Sequence, residues 1–326
     1  LMSMCQSQTV RMMNSFEDLI KKEYSNIAGI AIRKDNHLIY EKYFDGYTQD
    51  DALHIASVTK SIIAILIGMA IDKGYMKNIE QHVLDFFPNY TVKRGEKTIQ
   101  NITIANLLSM TAPYKYKSEP YTKVYTSDDW VKAALDLLGG KGSIGEFNYS
   151  TVGTHILSGV LTNATGQSVL DFATESLFKP LAIKAPTNTT IQNKEDYFAF
   201  LKDKYVTGWI VDPKEVNTAG WGLTLTTRDM AKIGQLYLNG GVWNGRQILS
   251  SQWIENSTKV QSRSGELSYG YLWWILDDCY AALGDGGNVT FINPQKKMVI
   301  SIASRFMPRA KNRVELIRKH MMPLFE

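Results

Sequence analysis

Residues 54–71 read HIASVTKSIIAILIGMAI, and the ten residues from Ile62 to Ile71 carry no polar side chain. A run of this kind, with Gly74 available to close it, belongs inside a protein or inside a bilayer. A membrane-spanning helix needs about 20 such residues, roughly twice as many, so the segment reads as a buried core helix with no membrane span in this chain. A helix that is apolar all round needs cover all round, so the rest of the chain must build layers against it. At its start Ser57 and Lys60 stand one turn apart, where their side chains can meet on one face. Such a pair is common by chance and gains meaning only from its surroundings.

The 326 residues exceed the size at which one core usually stops growing, so two lobes or one large mixed domain are expected. Val10 to Tyr24 has helical spacing of Met12, Met13, Phe16, Leu19 and Ile20, and IAGIAIRKDNHLIYEKYF reads as a hairpin turning at Asp35-Asn36. The middle of the chain is mainly helical, with Ser127 and Ser150 or Thr151 available as caps. Beyond TTRDMAKIGQLYLNGG, the segments YGYLWWIL, CYAALG, NVTFIN and KMVISIA read as antiparallel strands, followed by a last helix at about Arg309 to Met322. The fold expected is α/β of the α+β type: an antiparallel sheet flanked by helices, built from residues 1–56 and 225–326. A helical insertion occupies 57–224, and the site lies between the two.

Apolar content of 44% and charged content of 21% are ordinary for a globular chain. A net charge of +4 falls short of the concentrated positive field of a nucleic-acid binder, so no nucleic-acid partner is expected. The basic cluster Arg305, Arg309, Lys311, Arg313, Arg318 and Lys319 reads as the solvated face of the terminal helix. Cys5 and Cys279 lack the spacing of a disulfide framework or a zinc site, and none of the five histidines pairs with another at metal-ligand spacing. No metal or cofactor is called for. The chain starts at Leu1 without a visible secretory signal, a pattern that fits a cytoplasmic protein or one exported after losing an upstream segment. Neither compartment nor oligomeric state follows from the residues.

A serine at a helix start sits beside free backbone N–H groups and the positive end of the helix dipole, which favour an attacking oxygen and a developing oxyanion. A lysine pressed against an apolar helix loses hydration, which favours its neutral, proton-accepting form. Competing systems are absent: no serine lies in a G-x-S-x-G elbow, and H-E-x-x-H does not occur. His155 reads as a packing residue, Asp128-Asp129 as a helix start, and Asp277-Asp278 as a turn. The loops around Tyr114, Tyr116 and Tyr121, with Trp209, are candidates to floor a pocket.

With IASVTKS, FNYSTVGTHILSGVLTNATGQSVLDFATESLFKPL, GWGLTLTTRDMAKIGQLYLNGG and ALGDGGNVTFINP in this order, the chain resembles the serine β-lactamase-like and penicillin-recognising hydrolases. The branch it resembles holds class C β-lactamases, D-stereospecific peptidases and esterases, and the likeness runs from about Ile27 to Ile302. The resemblance implies a β-lactamase/transpeptidase-like fold and a cofactor-free acyl-enzyme hydrolase acting on an ester, amide or lactam carbonyl of a small molecule or peptide. It makes Ser57 the nucleophile, Lys60 its base partner and Tyr149 the relay of a proton to the leaving atom. The backbone N–H groups of Ser57 and Asn288 become the oxyanion hole, with Asn288 on an edge strand.

Two positions depart from the family pattern. Its Tyr-x-Asn is Tyr149-Ser150-Thr151 here, so a hydroxyl replaces an amide beside Lys60. Its third motif starts with Lys or His, whereas here Asp285 precedes Gly286-Gly287. An aspartate repels the carboxylate that a cation there would hold, so substrates other than carboxylate-bearing β-lactams are expected. Thr151, Asp285, Gly286 and Gly287 are thus the expected substrate-binding positions. The alternative is a non-catalytic, penicillin-binding-protein-like module on the same fold.

Overall fold

The computed structural model describes residues 4–326. Eight antiparallel strands form one sheet, in the order His37–Tyr43, Ile27–Lys34, Met298–Ser304, Asn288–Asn293, Cys279–Gly284, Trp274–Leu276, Leu267–Tyr269 and Ser262–Ser264. Strands from the two ends of the chain meet where Ile30 pairs with Ile302 and Ile32 with Ile300. The fold is mixed α and β with an antiparallel sheet, as the resemblance implied.

Strand alternation sends side chains to two different cores. Ile27, Ile30, Ile32, Met298, Ile300 and Ile302 face the outer layer, where Phe16 and Ile20 of helix Met4–Glu23 join Leu316, Ile317 and Met321 of the terminal helical segment 313–325. Ala28, Ala31, Val299 and Ala303 face the inner layer. Their small side chains, and Gly234 on helix Thr227–Leu238, let that helix lie close to the sheet: a Cβ at Gly234 would collide with Val299.

The apolar segment forms helix Val58–Asp72, buried over Val58 to Ala70 between the sheet and helix Thr151–Thr165. Ile63, Ile65, Leu66 and Ile67 are each 0% exposed, and burial of such a side chain stabilises by about 1.5–3 kcal/mol. Among the described residues no helix is long and apolar enough to cross a membrane.

Several local expectations change. YGYLWWIL is not one strand, because Leu272 takes a φ of +64° and separates Leu267–Tyr269 from Trp274–Leu276. The N-cap of helix Trp130–Leu137 is Asp129, whose side chain accepts from Lys132 N, rather than Ser127. Arg313 does not belong to a solvated face: it is 4% exposed and packed behind the turn after Gly284.

Candidate active site

Chain direction reverses sharply before the nucleophile candidate. Strand Ala52–His54 pairs with Thr224–Thr226, and Ala56 then adopts a φ of +50°, a left-handed conformation that costs a β-carbon residue roughly 1 kcal/mol or more. The helix starts at once, with Ser57 as its N-cap residue, and the Ser57 hydroxyl makes no capping bond. It accepts instead from Lys60 Nζ at 2.9 Å. Lys60 is 1% exposed, and its ammonium also donates to Thr151 Oγ1 at 3.1 Å and to the carbonyl of Gly220 at 3.0 Å. An ammonium has three N–H bonds, so the three acceptors satisfy it and fix its direction.

Tyr149 approaches through its ring. The Lys60 ammonium lies 4.9 Å from the ring centroid, and the ring stacks on Trp274 at 5.7 Å and meets Tyr269 edge-on at 6.3 Å. Thr151, the departure from the family's amide, thus keeps a contact to Lys60 through its hydroxyl. Its position is set from behind: Ser150 caps helix Thr151–Thr165 by accepting from Gly153 N, and Glu119 accepts from the N–H groups of Thr151 and Val152. Gly220 sits so near that a Cβ there would lie 2.6 Å from Thr151 Cγ2.

GDGG forms a tight turn between strands Cys279–Gly284 and Asn288–Asn293, with Gly287 N donating to Gly284 O at 3.2 Å. At Gly284 the chain passes so close to the helix start that a Cβ would collide with Ile55 O and lie 3.0 Å from Ser57 N. Asp285 is exposed on the cavity wall. Asn288 is 3% exposed and belongs to an interior strand rather than an edge; its side chain donates to Asp285 O at 3.1 Å and accepts from Ser304 N at 2.9 Å. Gly286 and Gly287, with φ of +88° and +97°, shape the turn that carries Asp285.

A cavity of about 1010 Å³ opens over Ser57, and Thr151, Asp285 and Asn288 share its wall. Of the aromatic residues expected there, Tyr121 does line it. Trp209 is 0% exposed, with its indole N–H donating to Thr218 O; Tyr116 bonds Ser150 Oγ at 2.6 Å, and Tyr114 stacks on Tyr116. The aromatic wall comes from Tyr125, Tyr197, Phe200 and Trp221 instead. Burial, then the acidic groups of Glu119, Tyr149 and Asp285, push the Tyr121 hydroxyl up, and burial and Asp285 do the same to Tyr197. Lys194, Lys202 and Lys204 line the cavity as well.

Two histidines have structural settings. His155 Nε2 lies 2.9 Å from Asp212 Oδ2, both side chains being buried beside Trp130. His54 accepts from Gly222 N at 2.9 Å, two residues after the Gly220 carbonyl that holds Lys60. Its ring packs against Phe200 and Trp221, and lost hydration pulls its pKa down to about 3. Among the described residues no group of three or more His, Cys, Asp or Glu side chains could hold a metal ion.

The structure therefore brings Ser57, Lys60, Tyr149 and Thr151 together and sets Asp285 on the same cavity. Sequence reasoning missed Glu119, Gly220 and Gly284, none of which carries a local signal for its long-range contact. In comparisons with known proteins, the family model described as beta-lactamase matches residues 16–320. The 6-aminohexanoate-dimer hydrolase of Paenarthrobacter ureafaciens is 24% identical over 298 residues, which is 82% of this chain and 70% of that protein. A penicillin-binding protein homolog from Caulobacter crescentus shares the fold at a TM-score of 0.70 and 16% identity, with 93% of this chain and 92% of that one covered. A family VIII carboxylesterase shares it at 0.70 and 15%, with 96% and 97% covered. With the family match running over nearly its whole length, the chain belongs to the beta-lactamase family.

Proposed function

We propose that this protein is a serine hydrolase that works through an acyl-enzyme. The observation that carries the reading is the 2.9 Å bond between Lys60 Nζ and Ser57 Oγ at the floor of the cavity. Ser57 Oγ attacks the substrate carbonyl, an Oγ–C bond forms, and the bond from that carbon to the leaving oxygen or nitrogen breaks. In the reacting state Lys60 is the neutral amine: its Nζ takes the hydroxyl proton, and the ammonium so formed passes a proton by way of the Tyr149 hydroxyl to the leaving atom. Water then cleaves the ester, giving one proton to Lys60 and leaving Ser57 Oγ protonated again. The oxyanion lies at the Ser57 N–H. Its second donor is the N–H of Asp285, next to the Gly284 that touches Ser57, while Asn288 holds the turn through its side chain.

Asp285 and the tyrosines around it favour an amide or ester whose acyl part is neutral or carries an amine, over a carboxylate-bearing β-lactam. The name of the Paenarthrobacter relative, a hydrolase of an aminohexanoate dimer, agrees with an amide substrate. The cavity's lysines offer a place for a carboxylate at the far end of such a substrate.

Purified protein incubated with a fluorophosphonate should gain one adduct on Ser57, lost in Ser57→Ala. Neutral p-nitrophenyl esters and amino-acid p-nitroanilides should be turned over faster than nitrocefin, and Asp285→Lys should narrow that difference. A protein that no acyl donor or fluorophosphonate modifies is the binding module instead.

A further inference from the structure

Behind the GDGG turn lies a buried guanidinium that the acyl-transfer scheme leaves unused. Arg313, 4% exposed, donates to Asn26 Oδ1 at 2.6 Å and to Lys311 O at 2.9 Å, with longer contacts of 3.4 Å to Gly286 O and Ser304 Oγ. Every one of these acceptors is neutral, its Nε finds no partner among the described residues, and the ring of Tyr24 lies 5.3 Å from it. A charge buried without a counter-ion is costly unless its field is used. It is pressed against the turn so closely that a Cβ at Gly287 would collide with the guanidinium.

The same cluster holds the carbonyls of the turn. Asn26 Nδ2 donates to Gly286 O at 2.7 Å, Ser304 Oγ donates to Gly287 O at 2.8 Å, and Asn288 Nδ2 donates to Asp285 O. With these oxygens and Gly284 O engaged, each carbonyl of the turn from Gly284 to Gly287 has a partner that sets its direction. A peptide plane held by its oxygen also has its N–H direction held: Asn26 and Arg313 hold Gly286 O and so the Gly287 N–H of the same plane, which in turn holds Gly284 O and with it the Asp285 N–H. We infer that Arg313 is a positioning residue of the acyl-transfer site: with Asn26 it fixes the Asp285 N–H as oxyanion donor, and its uncompensated charge adds positive potential behind that donor. The inference rests on the serine-hydrolase reading. Preorganised donors act mainly on the transition state, so the loss should appear in kcat rather than KM.

The test uses the full chain with Arg313→Ala, Arg313→Lys and Asn26→Ala. Turnover of a p-nitrophenyl ester is measured per fluorophosphonate-titrated Ser57, alongside thermal melting. Expected for Arg313→Ala is a fall in kcat of roughly 10- to 100-fold, within the range for losing an oxyanion donor, with KM within about two-fold. Low guanidinium concentrations should restore a part of kcat in Arg313→Ala and leave the wild type and Asn26→Ala unchanged. Asn26→Ala should show a smaller fall of the same kind, and it keeps the idea open to refutation if Arg313→Ala does not fold. Arg313→Lys, with charge but no fork, should recover less than half of the loss. Unchanged kcat per titrated site with a lower Tm overturns the inference and leaves Arg313 a purely structural residue. A wild type that neither turns over ester nor reacts at Ser57 overturns the hydrolase reading and this role together.

Discussion

Glu119 grips the start of helix Thr151–Thr165 with one carboxylate oxygen on the N–H of Thr151, at 2.9 Å, and the other on that of Val152, at 3.0 Å. A carboxylate at a helix N-terminus stabilises both the free N–H groups and the helix dipole. Here it also steadies Thr151, whose hydroxyl is one of the three acceptors of Lys60. Glu119→Ala should lower stability by about 1–2 kcal/mol and cut kcat several-fold. Denaturant melts and ester turnover on the same preparation check both. A melt like the wild type's would show that the helix start does not depend on Glu119.

Tyr149→Phe separates ring from hydroxyl. The ring's stack on Trp274 and its contact with the Lys60 ammonium are kept, so Tm should change little. Removal of a general acid–base group should lower kcat by about 10²- to 10⁴-fold. Turnover within two-fold of wild type would remove the hydroxyl from the proton path.

Gly284→Ala tests the closeness of the turn to the proposed nucleophile, Ser57. The added methyl meets Ile55 O and the Ser57 N–H, so the strand end must shift away from the helix start. Ester turnover should fall by at least about ten-fold, more steeply than stability falls, because small displacements at a reacting centre are costly. Equal losses of fluorophosphonate reactivity and of folded fraction would contradict this.

His54 predicts acid lability. Its folded pKa of about 3 lies below the ordinary 6.5, so the unfolded chain binds the extra proton first. Stability is therefore full above about pH 6.5 and declines as pH falls toward 3. Part of the ring is on the cavity wall, so solvent reduces the effect to about 1–2 kcal/mol at pH 5. His54→Asn retains an acceptor for Gly222 N and should flatten the fall of Tm between pH 7 and pH 5. An identical slope in the variant would place the acid sensitivity elsewhere.

Legibility in the sequence followed contact distance along the chain. Ser57 and Lys60 are one turn apart, so their meeting is a property of any helix there. The central strands were readable because both of their faces are buried and the turns between them are marked, whereas the exposed strand Ser262–Ser264 and the break at Leu272 were not. Tyr149 and Asp285 came from ordered motifs. Lys60 meets Gly220 across 160 residues, Thr151 meets Glu119 across 32, and Arg313 meets Asn26 across 287, and no local pattern encodes such pairings. The place of the turn was not legible either: sequence order does not reveal where a hairpin reverses, and the ladder pairs Gly284 with Asn288, which is why the proposed second oxyanion donor is Asp285 rather than the expected Asn288.

Strand Met298–Ser304 lies between Ile27–Lys34 and Asn288–Asn293, so the hairpin at residues 27–43 is joined to the rest of the sheet through the strand that comes last among the described residues. A ribosome delivers Ser57 and Lys60 long before it delivers the turn at Gly284 or the guanidinium behind it. On the proposed reading the growing chain thus carries Ser57 before the turn that would complete its site is docked, and arrested chains ending before Met298 should resist fluorophosphonate labelling.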